Sequence, residues 1–128
     1  MTCNVFLKAT KQMLMLAAFA AVVFPVAASA AGWGAISAEE VIGDKDPFWG
    51  VGGGNSKAEA SKNSQKFCRE AGGKKCEVLV TYQKCGAYAA SKQYSGTGTG
   101  TTKKVAEQNA LKVCNNRNCS VVTSDCND

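Results

Sequence analysis

None of the 128 residues of this chain is histidine, so its chemistry rests on cysteine, lysine, serine and carboxylate side chains. The commonest general base, the usual organiser of a nucleophilic triad and a frequent metal ligand are missing together. A Ser–Lys pair or a pair of carboxylates stays formally open, with Glu59/Glu107, Glu39/Glu40 and Asp44/Asp46 as the candidates. Glu59 and Glu107 read more simply as first-turn carboxylates that stabilise helix N-termini. The acidic group between Glu39 and Asp46 falls in a polar insert, 39–47, with the composition of an exposed loop. The pattern assigns no catalytic residue and no cofactor, and the expected protein is not an enzyme.

Two glycine-rich runs, Gly50-Val51-Gly52-Gly53-Gly54 and Gly96-Thr97-Gly98-Thr99-Gly100, each stand before an expected helix like a phosphate cradle. Neither is a P-loop, since Lys57 lacks the preceding glycine and the following serine or threonine. Alternate glycines fit tight backbone packing, bulges or positive φ. Lys57, Lys103 and Lys104 do occupy helix first turns, where positive charge opposes the helix dipole and a bound anion would relieve the conflict. Ser56, Lys57, Thr102, Lys103 and Lys104 are therefore candidates for an anion- or glycan-binding site at paired helix starts. The aromatic residues Phe48, Trp49, Tyr88 and Tyr94 cluster near sheet-to-turn regions. In a domain this small they are first of all core and turn-packing residues, although such side chains also serve protein contacts. Asn118-Cys119-Ser120 fits a glycosylation sequon, but a cysteine expected in a disulfide stands at its centre.

Of the seven cysteines, Cys3 lies in an N-terminal segment with the marks of a secretory signal. Lys8 and Lys11 precede an apolar run that closes on Ala28-Ser29-Ala30, so cleavage is expected after Ala30. The run is shorter than a membrane span needs and contains Pro25, which leaves no span in the mature chain. Cys68, Cys76, Cys85, Cys114, Cys119 and Cys126 remain, an even number in an exported domain, and disulfides are the natural outcome. Zinc is disfavoured by the missing histidine, by the spacing and by an oxidising compartment. Duplication favours Cys68–Cys76 and Cys114–Cys119, each tying a helix end to the next strand, and Cys85–Cys126 meeting across a pseudo-two-fold axis.

The elements that must position these residues come in duplicate. Gly50–Cys68 laid on Gly96–Cys114 without a gap matches at eight of nineteen positions, among them Lys57/Lys103, Ala60/Ala106, Asn63/Asn109 and Cys68/Cys114. Each unit reads as an apolar stretch, a glycine-rich turn, a helix and a β-rich run. Ser56 and Thr102 are the expected N-caps, and Gly72-Gly73 and Asn115-Asn116 the stops. Helical spacing puts Ala60, Ser64, Phe67 and Cys68 on one inward stripe and Ala106, Ala110, Val113 and Cys114 on the other. The run from Glu77 to Tyr82 is long enough for a central strand, and the shorter Ser120–Ser124 fits an edge or pairs with it about the axis. The expected fold is α+β: a small disulfide-stapled domain, 31–128, of two tandem β-(β)-α-β repeats with pseudo-two-fold symmetry. Repeat one covers about 33–85 and repeat two about 85–126.

Signal cleavage lowers the formal charge from +5 to 13 − 10 = +3, and the lysines are scattered. A nucleic-acid footprint is absent. About 98 residues, 128 − 30, make one small domain that needs its staples.

Trp33-Gly34-Ala35-Ile36, Cys85-Gly86-Ala87-Tyr88 and the helical Ala58-Glu59-Ala60 and Ala106-Glu107 resemble the bacterial family called domain of unknown function 4189. The resemblance covers 33–126. It implies an exported bacterial protein and carries over no reaction and no catalytic residue. The chain departs from the family pattern in its long insert before Phe48 and in the polar run Ser61–Gln65. The expected function is a secreted or periplasmic non-catalytic interaction module, whose partner is a protein or an envelope component. An anion- or glycan-binding protein is the alternative, and a small secreted hydrolase the weaker one.

Overall fold

Alternate glycines on two strands decide how the layers of this protein pack. The computed structural model describes residues 32–40 and 46–127. The expected signal segment, with Cys3, and the insert residue Asp44 lie outside the described residues. The element order is β1 (Trp33–Glu39), β2 (Phe48–Gly54), α1 (Lys57–Glu70), β3 (Glu77–Tyr82), β4 (Cys85–Ala90), β5 (Ser95–Gly100), α2 (Lys103–Cys114) and β6 (Ser120–Cys126). This α+β arrangement is β-β-α-β used twice. Two antiparallel sheets of three strands result, with the matching orders β2-β1-β3 and β5-β4-β6.

Gly50 and Gly52 of β2 face α1, and a methyl group at either would collide with the helix main chain, at Cys68 or at Ser64. Gly96 and Gly98 of β5 meet Cys114 and Ala110 of α2 in the same way. Positive φ is confined, among the described residues, to Gly72 and Asn115. The backbone irregularities of the sheets fall on β1–β3 and β4–β6. Close approach of helix to strand, not bulging or positive φ, is thus what these glycines serve. Such a narrow gap admits small side chains alone. The buried stripes are Ala60, Ser64 and Cys68 on α1 and Ala106, Ala110 and Cys114 on α2. Phe67 and Val113, expected on those stripes, instead point outward at 48% and 63% exposure, because the contact is too tight for them.

The opposite faces of the sheets meet each other. Val51, between the two helix-facing glycines, packs into a cluster with Ile36, Ala38, Tyr82 and Tyr88. On β4, Ala87 and Ala89 pack with Ala106 and Ala110, while the alternating Tyr88 and Ala90 join the Ile36 cluster. Side-chain alternation along a strand then fixes the layers as α1, first sheet, second sheet, α2. Complete burial of Ile36 contributes roughly 1.5–3 kcal/mol, and the Tyr88 ring is buried beside it.

Equivalent places in the units carry equivalent devices. Asn63 donates to the Gly53 carbonyl at 2.7 Å, and Asn109 to the Thr99 carbonyl at 2.8 Å. A register shift follows Ile36 on β1 and Tyr88 on β4, leaving Leu79 and Val122 as extra residues, both packed against the inter-sheet cluster. In the first unit Ser37 and Ser64 are fully buried with their hydroxyls 2.6 Å apart. Ser64 also donates to the Ser61 carbonyl, so Ser37 is the donor to Ser64. Ala89 and Ala110 stand at the same places in the second unit and need no hydrogen bond. One position breaks the symmetry outright. The Tyr82 ring lies against both Gly34 and its counterpart Gly86, and its hydroxyl donates at 2.7 Å to Asp125, the residue matching Tyr82 itself.

The helix caps follow the expected residues: the Ser56 hydroxyl accepts from Glu59 N–H at 3.1 Å, and that of Thr102 from Val105 N–H at 3.2 Å. Asn115 closes α2 in the left-handed region, with φ 50°. Cys68–Cys76 and Cys114–Cys119 tie each helix end to the following strand. Cys85–Cys126 also forms, but not across an axis. It joins directly opposed residues of β4 and β6 inside the second sheet. Register shows why: Cys85 opposes Gly100 as Trp33 opposes Gly54, so Cys85 corresponds to Trp33 and not to Cys126. β3 is an edge strand, not a central one, and β6, at seven residues to its six, is not shorter. The two strands lie in different sheets because each pairs with the first strand of its own unit.

Candidate functional site

Ser56, Lys57, Thr102, Lys103 and Lys104 are all exposed, and both hydroxyls are engaged as caps. Because α1 and α2 cover opposite outer layers, their starts do not converge on one site.

Four of the candidate carboxylates, Glu39, Glu40, Glu59 and Glu107, make structural hydrogen bonds, whereas Asp46 lines a cleft. Glu39, expected in the polar loop, ends β1, and its carboxylate accepts from the backbone N–H groups of Lys74 and of Lys75, the latter at 2.7 Å. Those two N–H groups, Lys75 first, hold its carboxyl below the usual range. Glu59 accepts from Asn55 N–H at 3.0 Å. Glu107 is not a first-turn carboxylate, since α2 begins at Lys103 and has no acidic residue in its first turn. It accepts from the Ser124 hydroxyl at 2.6 Å and ties α2 to β6. Glu40 accepts from Tyr88 at 3.4 Å. Burial, aided by Asp125 for Tyr82 and by Glu40 for Tyr88, raises both phenols well above their ordinary value, so they act as donors and not as bases. All six cysteines of the described residues are in disulfides, which leaves no thiolate among them. No group of three or more metal-ligating side chains occurs among the described residues.

A cleft of about 640 Å³ opens at one end of the second sheet. One wall is the β4–β5 turn, with Ser91, Gln93 and Tyr94; the other is the α2–β6 turn, with Asn116 and Asn118. Ala90 and Val122 form the floor, and Asp46 and Pro47 approach from the first unit. Both walls are fixed. Ser91 N–H donates to the Tyr94 carbonyl at 2.7 Å, and the Ser91 hydroxyl accepts from Tyr94 N–H at 3.0 Å. Opposite, Asn116 Oδ1 accepts from Asn118 N–H at 2.9 Å inside the loop closed by Cys114–Cys119. The Tyr94 ring stands half exposed at the rim, whereas Tyr88 is buried between the sheets. The volume lies within the range of small-ligand sites, and the lining mixes one aromatic face with amides, hydroxyls and one charged side chain of each sign, Asp46 and Lys92. Such an arrangement can hold a polar ligand.

Of these residues the sequence points to Tyr94 as a packing aromatic, to Asp46 as a candidate carboxylate, and to Asn116 and Asn118 as a helix stop and a sequon. Composition and spacing alone give Gln93 and Ser91 no functional signal. Alignment on β1 and β4 would have found the signal: Ser91 stands where the first unit has Glu39.

The model of the family described as Domain of unknown function (DUF4189) matches residues 33–126. The chain belongs to this family. No curated protein and no solved structure matches it. The matched span runs from the first residue of β1 to the last of β6, so both units of the fold belong to the DUF4189 domain. The three disulfides of this DUF4189 chain fit an oxidising compartment. No helix among the described residues is long and apolar enough to cross a membrane.

Proposed function

We propose that this DUF4189 protein is exported and works by binding, not by catalysis, through the cleft at the end of its second sheet. The observation that carries the reading is the cleft itself: a preformed, rigid-walled concavity of ligand size with an exposed aromatic residue at its rim. The engagement of Glu39, Glu59, Glu107 and the six cysteines in structural bonds supports the non-catalytic half of the reading. Export rests on the signal-like N-terminus and the disulfides, with cleavage after Ala30.

Affinity capture from the native envelope and growth medium, with disulfide-bonded protein as bait, tests the reading. A component held by the parent protein and lost with the double variant Tyr94→Ala/Asn118→Ala is expected. Identical retention by both would contradict a role for the cleft. N-terminal sequencing of protein recovered outside the cytosol should begin at Ala31, and a sequence starting at Met1 would contradict cleavage.

A further inference from the structure

Resting on that reading, we infer that the cleft takes a neutral saccharide, with a pyranose ring stacked on Tyr94 and its hydroxyls bound by Asn116, Asn118 and Gln93. The first support is a comparison within the molecule. In the first unit the carboxylate of Glu39 reaches across to the backbone N–H groups of Lys74 and Lys75 and straps the strand end to the α1–β3 turn. The equivalent of Glu39 is Ser91, whose hydroxyl instead closes its own turn on Tyr94. Without the strap the two turns of the second unit stand apart, and the space between them is the cleft.

The second support is the chemistry of the lining. Carboxamides and hydroxyls both donate and accept, as vicinal sugar hydroxyls do, so Gln93, Asn116, Asn118, Ser91 and Ser120 match such a ligand in kind, and Asp46 and Lys92, one charge of each sign, leave the lining without a net charge to select an ion. The Tyr94 ring, 51% exposed, offers a π face of negative potential to the weakly positive C–H face of a pyranose. A peptide added as a strand fits less well. Ala90 belongs to the central strand and is already paired on both sides, with Ser95 and with Ser120, so at the cleft a strand could add only along the outer edge of β6. Besides Tyr94 the apolar lining is Ala90, Val122 and Pro47, small side chains that do not make a deep side-chain pocket. Turns held by the Cys114–Cys119 bridge and by Ser91 lose little freedom on binding, which favours a small ligand with few contacts.

The test is an NMR titration of the ¹⁵N-labelled, disulfide-bonded protein with chitotriose, maltotriose and cellotriose, and with a blocked apolar tripeptide. Saturable shifts at the amides of Tyr94, Asn116 and Asn118 with at least one saccharide are expected. Tyr94→Ala should weaken that binding about tenfold or more, while Tyr94→Trp keeps it. The exposure of Tyr94 lets both variants fold, and an unchanged spectrum elsewhere checks this. If no saccharide moves these amides at about 10 mM, the saccharide assignment is overturned. Shifts there with the tripeptide alone would overturn it too, yet leave binding by the cleft standing, so the two readings fail separately. Saccharide shifts confined to other parts of the protein would also overturn it.

Discussion

Single atoms decide the packing of this protein, and the glycines show it most directly. Gly52 lies against the Ser64 backbone, so an added methyl group has nowhere to go, whereas at neighbouring Gly53 the nearest atom, the Trp33 carbonyl oxygen, would be 3.7 Å away. Gly52→Ala should therefore destabilise the fold by about 3 kcal/mol, and Gly53→Ala by less than about 0.5 kcal/mol, in urea denaturation. Equal effects would show that helix and strand are not in backbone contact. The Ser37–Ser64 bond supplies a finer test. Ser64→Ala leaves the Ser37 hydroxyl buried without its acceptor and should cost about 1–3 kcal/mol, while Ser37→Ala leaves Ser64 bonded to Ser61 and should cost less. Because the second unit already has alanine at both places, the double variant should be more stable than the sum of the singles predicts. Additive losses in a double-mutant cycle would contradict the pairing.

Among the elements, strand and helix order were legible in the sequence because the duplicated glycines, caps and cysteines each mark a boundary. Ser56 and Thr102 cap helices, and Asn115 ends one, for reasons local to a few residues. The orientation of the helices was less legible. Spacing alone groups Phe67 with Cys68 and Val113 with Cys114, and what turns Phe67 and Val113 outward is the closeness of the opposing strand. The strap from Glu39 was hidden for a similar reason, since its partners are backbone groups 35 and 36 residues away. Its titration is a property of the β1 end and the α1–β3 turn together. The folded carboxyl is held below its ordinary value of 4.5, so the stabilisation is fully present above that pH and is lost as pH falls through the lower, folded value. Glu39→Gln should flatten the acid side of the stability curve, measured as melting temperature from neutral to strongly acid pH. An unchanged acid limb would show that the strap does not contribute in solution.

For the whole molecule, doubling explains more than either unit does alone. Two copies of β-β-α-β place their helices outside and share an interior, and each sheet is completed by strands of its own unit. Duplication was readable in the sequence, but its register was not. Matching cysteine to cysteine sets Cys85 beside Cys126, while the strand ladders match Cys85 to Trp33 and put that bridge within one sheet. None of the disulfides among the described residues links the two units, so what joins them beyond the connecting chain is the packed inter-sheet layer with hydrogen bonds such as Tyr82 to Asp125. The cleft follows from departures between the copies: the long first insert with its Glu39 strap on one side, and the short β4–β5 turn with Ser91 and Tyr94 on the other. Small sequence differences inside a repeated frame thus leave one unit closed and the other open, which is where the proposed binding resides. The most direct test of the stacked arrangement is a proton NOE spectrum of the disulfide-bonded protein. The Tyr82 ring should show cross-peaks to the α-protons of both Gly34 and Gly86, one from each sheet. Cross-peaks to Gly34 with none to Gly86 would mean that the two sheets do not face each other.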